Sequence, residues 1–198
     1  MKKLFYTTIL CFAVSTTSYA AVAPVSVSII PPVQFPADDW NITGLRTSII
    51  YGDHRNVYGF DFGLLGNVTQ QDFVGIGISG VANVTHGSTH AIGLQLAGLV
   101  NVNTNKTNVY GLQVTAGVNV NTAQSAIYGV QLGLIGNFSS YTDIYGFQIG
   151  LINRANNVYG FQIGLVNQAV SLHGIQLGLV NINEKGLFKI SPAINIGF

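Results

Sequence analysis

Few residues in this chain have the type and spacing for chemistry. His54 follows Asp53, and a histidine oriented by a carboxylate is what general-base catalysis uses, but no nucleophile motif accompanies the pair. His86 and His90 stand four apart in a Gly-Ser-Thr loop, where helical spacing has no meaning, so no metal site is expected there. Cys11 is the only cysteine. No catalytic, metal-ligating or cofactor-binding residue is expected, and the chain reads as a non-enzyme.

The polar residues that do recur are amides. Gln95, Gln113, Gln131, Gln148, Gln162 and Gln176 each hold the fourth place of a motif, aromatic-Gly-apolar-Gln-apolar-Gly-Leu-apolar-Asn. Its cleanest copies run from Tyr145 to Asn153, from Tyr159 to Asn167 and from His173 to Asn181. An asparagine closes each copy, at Asn67, Asn83, Asn101, Asn119, Asn137, Asn153, Asn167 and Asn181.

The elements that must carry these amides are strands. Glycine recurs inside every copy and apolar residues alternate at period two, which excludes an amphipathic helix. In the copy at Tyr159, Tyr159, Phe161, Ile163 and Leu165 share one face, and Gly160, Gln162, Gly164 and Val166 share the other. Five earlier copies carry one extra residue before the asparagine, read either as a longer strand or as a bulge. Two further alternating segments, 42–51 and 187–198, bring the expected total to about ten strands.

Charged residues make up 8% of the chain, against about 25% in soluble domains, and a water-soluble surface normally needs more. Without Lys2 and Lys3 there remain six basic and seven acidic side chains, no basis for binding nucleic acid. Short polar segments such as 154–157 and 168–171 read as hairpin turns. Together these features predict an all-β, up-and-down antiparallel transmembrane β-barrel of about ten strands, in contact with outer-membrane lipid. The alternative is a parallel β-solenoid, in which the asparagines stack as a ladder.

Within the barrel the glutamines form an inward amide belt, either a polar path for small solutes or a hydrogen-bonded plug. Arg46, Asp61 and Lys189 are the charges placed within strands, all on the Gly/Gln face, and barrel closure would gather them into a lumen cluster. Tyr, or His173 in its place, would alternate between the two rims.

The last strand alternates Phe188, Ile190, Ile194, Ile196 and Phe198 with smaller or polar residues. It resembles the carboxy-terminal strand of outer-membrane β-barrels, which implies that Ile194, Ile196 and Phe198 are read by the barrel-assembly machinery; Pro192 departs from that pattern. The segment 58–181 resembles a bacterial family of surface-repeat-containing proteins, with tandem Gly-Leu-Gln-Ile-Gly-Leu-Val-Asn-like units. That resemblance implies a surface or outer-membrane location and brings no assigned activity.

Residues 1–20 read as a signal peptide: Lys2 and Lys3, an apolar run, then Ser18-Tyr19-Ala20 before cleavage. Residues 21–40 hold four of the five prolines and read as an extended tail, and 41–198 as the repeat domain. The functional expectation is a small, non-catalytic outer-membrane barrel with a structural, permeation or surface-interaction role. The alternative is a secreted or surface β-solenoid adhesin.

Overall fold

The computed structural model describes residues 21–86 and 90–198. The expected signal peptide, its cleavage point and Cys11 lie outside the described residues.

The chain winds as a parallel β-solenoid of about nine turns. One coil shows the plan. The long strand Asn108–Thr115 leads to a corner at Ala116 and Gly117; the short strand Val118–Asn121 runs back, and a polar turn opens the next long strand, Ser125–Gly133. Like residues pair in register: Gly111 lies between Gly93 and Gly129, and Asn119 between Asn101 and Asn137. Long strands stack into one sheet and short strands into a second, with the core between them.

This overturns the barrel. The repeats up to Asn167 are not one membrane-length strand each but two shorter ones bent about the corner, and neighbouring repeats run parallel rather than antiparallel. Period-two alternation is common to both architectures. What separates them is that repeats of nearly equal length bring identical residues side by side, so every glutamine and asparagine meets its own kind. The segments 154–157 and 168–171, expected as hairpin turns, lie inside the continuous strands Ile152–Ile163 and Val166–Asn183. A porin-like closed wall is thereby excluded.

The inner row of the long strands is Ile42, Val57, Phe73, Ala91, Val109, Ile127, Ile144, Val158 and Leu172, all buried. Burying side chains of this size contributes roughly 1.5–3 kcal/mol each. Volumes compensate along the stack: Gly77 stands where other coils have glutamine, and the Phe73 ring reaches over it, with its Cζ 3.0 Å from where a Cβ would stand.

The first glycine of the motif is obligatory for two reasons, as Gly129 shows. Its φ of 145° lies where L-residues are strained, and an added Cβ would overlap the carbonyl oxygen of Gly111 on the preceding coil. Coil length grows and then shortens along the chain, from fifteen residues between Arg46 and Asp61 to eighteen between Gln95 and Gln113 and fourteen between Gln162 and Gln176. The residue that earlier copies carry in excess lies at the corner: the long strand Asn56–Gly63 ends one place later, relative to its glycine, than Thr142–Ile149.

Both ends are capped. Residues 21–40 are not a free tail: Val22–Ile30 pairs parallel with Asn41–Ser48 and antiparallel with Val33–Phe35. At the other end Ile190–Gly197 runs antiparallel along the last coil. Pro192 falls at the register shift between Gly178 and Asn181 on this outermost strand, where a missing N–H is tolerated. A proline and a bulge on the terminal strand also discourage edge-to-edge growth. Ile194, Ile196 and Phe198 are exposed at this cap, not set in a barrel wall.

Candidate functional site

The glutamines expected to line a lumen form a buried ladder. Gln176 Nε2 donates to Gln162 Oε1 at 2.7 Å, Gln162 to Gln148 at 2.7 Å, Gln148 to Gln131 at 2.8 Å, Gln131 to Gln113 at 2.8 Å and Gln113 to Gln95 at 2.7 Å. All point toward the amino-terminal end. The asparagine ladder runs the other way, each Nδ2 donating to the Oδ1 of the following coil from Asn67 through to Asn181. Asn67, Asn83, Asn101 and every ladder asparagine from Asn137 onward also donate to a backbone carbonyl of the following coil or cap strand, as Asn153 does to Ile163. Two amide rows of opposed polarity thus pair most of the polar core and hold neighbouring coils in register, while Gln176 Oε1 at the end of its row, and Asn103 Oδ1 and Asn183 Oδ1 outside the rows, are buried without a partner among the described residues.

Arg46 and Asp61 occupy the glutamine position in the first coils. Arg46 Nε and Nη2 donate to the two Asp61 carboxylate oxygens at 2.7 and 2.6 Å, and Nη1 donates to the Val68 carbonyl at 2.6 Å. Both side chains are buried. Lys189, expected beside them by barrel closure, instead precedes the carboxy-terminal cap at the opposite end of the stack. It lies outside any strand, whereas Asp53, Asp143 and Arg154, expected in turns, lie within strands.

His54, weighed as a general base beside Asp53, is fully buried at the end of Tyr51–His54. Its Nε2 lies 3.3 Å from the Pro36 carbonyl, which can only accept, so Nε2 carries the proton; Ser26 Oγ is 3.1 Å from the same nitrogen. Nδ1 then faces Arg46 Nη1 at 3.5 Å. Burial, with the guanidinium next in weight, lowers the His54 pKa from 6.5 to about 4. A serine–histidine pair with an arginine where a carboxylate would sit, sealed from solvent, is a structural plug and not a nucleophile with its base. His86 and His90 are separate: His86 Nδ1 lies 2.7 Å from Thr104 Oγ1, and His90 lies 3.8 Å from Asp72. No group of three or more potential metal ligands occurs among the described residues.

The outer surface is the more unusual part. On the long-strand sheet, Tyr110, Tyr128, Tyr145, Tyr159 and His173 stack one per coil, with ring centroids 4.7–4.9 Å apart and planes within 16° of parallel. The next outward row contains Phe60, Leu112, Phe147 and Phe161, and the one beyond it Phe62, Leu132, Ile163 and Leu177. The corner then presents Leu64, Leu65, Leu99, Leu134, Leu165 and Leu179; Leu134 is 63% exposed and Leu179 69%. Past the corner the short-strand sheet begins apolar, at Val100, Val118, Ile152, Val166 and Val180, and turns polar toward its end. A shallow cleft of about 350 Å³ lies there, lined by Ile50, Leu65, Val68, Val81 and Val84 among others.

On the long-strand side charge is segregated from this edge, whereas Arg154 stands exposed on the short-strand sheet two residues past Ile152. Among the described residues, none is charged on the long-strand sheet between the tyrosine row and the corner, except the buried Arg46 and Asp61. Asp72, Lys106 and Asp143 lie at the opposite, polar-turn edge. There Asp143 accepts from Asn156 and Asn157 Nδ2 at 3.1 and 2.7 Å. The tyrosines, expected to alternate between two rims, instead form one row on one sheet. The signal that marks the corner is the Gly-Leu pair after each glutamine.

No family model, curated protein or solved structure matches the chain.

Proposed function

We propose that the chain is a non-catalytic, exported β-solenoid of the secreted or surface-adhesin kind, whose working part is its apolar outer surface. The observation that carries this reading is the unbroken apolar sheet and corner on a core laced by two amide ladders. Monomeric soluble proteins rarely expose contiguous apolar patches beyond a few hundred Å², and larger ones mark interaction surfaces. The ladder amides bond to one another and to the backbone, save Gln176 Oε1 at the end of its row, and the one serine–histidine pair is sealed, which supports a role without turnover.

The test is adsorption of the folded full chain to octyl-coated against hydroxyl-coated beads. Retention on octyl beads, reduced at least tenfold by Leu112→Gln with Phe147→Gln and with an unchanged circular dichroism spectrum, supports the reading. Equal recovery from both surfaces contradicts it. Cell fractionation bears on export: recovery from the surface or the medium is expected, and a cytoplasmic chain of unreduced length contradicts it.

A further inference from the structure

The geometry points to one occupant for the apolar edge: the hydrocarbon of a single phospholipid leaflet, entered corner first. This rests on the reading that the apolar surface is the working part, and names its partner.

Three observations carry it. First, the apolar surface wraps the corner: it covers the outer rows of the long-strand sheet, turns at Leu65, Leu134 and Leu165, and continues over Val118, Val166 and Val180 on the other sheet. A flat partner, or a second copy packed face to face, covers one of these sheets and leaves the other wet. A fluid apolar phase covers both.

Second, side-chain chemistry is graded along one direction. On the long-strand sheet charges and amides lie at the polar-turn edge, tyrosines follow, then Phe and Leu, then the leucine corner; on the short-strand sheet Arg154, exposed three residues past Leu151, breaks the gradient and has the length to carry its guanidinium toward the headgroups. Tyrosine concentrates at the water–hydrocarbon boundary because its ring is apolar and its hydroxyl is not. From the tyrosine row to the corner is six residues in the coil from Tyr159 to Leu165, or roughly 20 Å at strand rise. One leaflet offers about 15 Å of hydrocarbon plus several more of headgroup region. The tyrosines then lie among headgroups with the corner near mid-bilayer, and the polar edge stays in water.

Third, the corner backbone is already paired. Leu99 N–H donates to Val81 at 3.0 Å, Leu165 to Leu151 at 2.9 Å and Val180 to Leu165 at 2.9 Å. Lipid-exposed backbone must find its hydrogen bonds within the protein, and this corner meets that condition. Sugar binding by ring stacking fits less well, because the tyrosines spend their faces on one another and offer only edges.

The experiment is flotation of the full chain with uncharged phosphatidylcholine vesicles, read with sedimentation of the protein alone. Expected is co-flotation that Leu134→Glu with Leu165→Glu reduces at least tenfold, while Thr122→Glu at the polar edge leaves it unchanged. Single tryptophans, with Trp40 replaced by Phe, report depth against lipids brominated near the bilayer centre. Quenching should be strongest at Leu134→Trp, weaker at Tyr128→Trp and absent at Thr122→Trp. No flotation overturns the inference, as does quenching at all three sites or a dimer that the corner variants dissolve without any vesicle binding. In that last case, or if octyl-bead retention persists without flotation, the apolar surface remains the working part and only the lipid assignment falls. Loss of both retention and flotation removes the functional reading as well.

Discussion

Arg46 clasps Asp61 through two parallel hydrogen bonds of 2.7 and 2.6 Å, in the row that later coils give to glutamine. The ion pair therefore replaces one step of an amide ladder. Removing one partner leaves a buried, uncompensated charge, a change that typically destabilises by about 3–5 kcal/mol. Asp61→Asn should lower stability by that order in urea unfolding. The double replacement Arg46→Gln with Asp61→Gln should recover much of it, because two neutral amides fit the same row.

The ladder itself is tested at its middle. Gln131 donates to Gln113 and accepts from Gln148 and from Ser139 Oγ. Gln131→Leu keeps the volume and orphans Gln113 Oε1 and Gln148 Nε2, while Ser139 Oγ still accepts from Asn121, at about 1–3 kcal/mol for each buried group left without a partner. A drop in the urea midpoint with little change in slope is the expected result.

Glycine substitutions should divide sharply by position. Gly129→Ala meets both a positive φ and the Gly111 carbonyl, and strain with overpacking places the loss on the order of 3 kcal/mol. Gly66→Ala has its nearest neighbour at 3.4 Å, ordinary van der Waals contact, and should be nearly neutral in thermal melts.

Acid should loosen the amino-terminal coils through His54. Its pKa is lowered from 6.5 to about 4 by burial and by Arg46, so between these values the unfolded chain takes up a proton that the fold refuses. Stability is then full above pH 6.5 and declines as pH falls toward 4. The melting temperature of a His54→Gln variant should be flatter across that window than that of the parent chain.

How far these features can be read from the residues alone differs from case to case. Tyr159, Phe161 and Ile163 do face opposite to Gln162, as alternation predicts, because facing within a strand depends only on period two. The joining of Arg46 to Asp61 also follows from phase: they are equivalent places on adjacent strands in barrel and solenoid alike. Lys189 does not join them because its placement depended on ring closure, which a solenoid lacks. The direction of neighbouring strands is a tertiary property that alternation does not encode, and the deciding signal was the recurrence of asparagine and glutamine at one register. The burial of His54 follows from its phase two residues after the inward Gly52, but the alternating segment 42–51 stops short of it, so alternation alone leaves it in a turn.

The central claim is the parallel, in-register stack, and a pair of cysteines tests it. With Cys11 replaced by serine, Tyr128→Cys and Tyr145→Cys stand directly opposite one another on adjacent parallel strands, a separation of about 5 Å that a disulfide spans. Rapid intramolecular oxidation of this pair in dilute, folded protein is the expected result, with no bridge between Tyr128→Cys and Asn153→Cys. The converse pattern, bridging of 128 to 153 and none of 128 to 145, is that of an antiparallel hairpin and would contradict the solenoid.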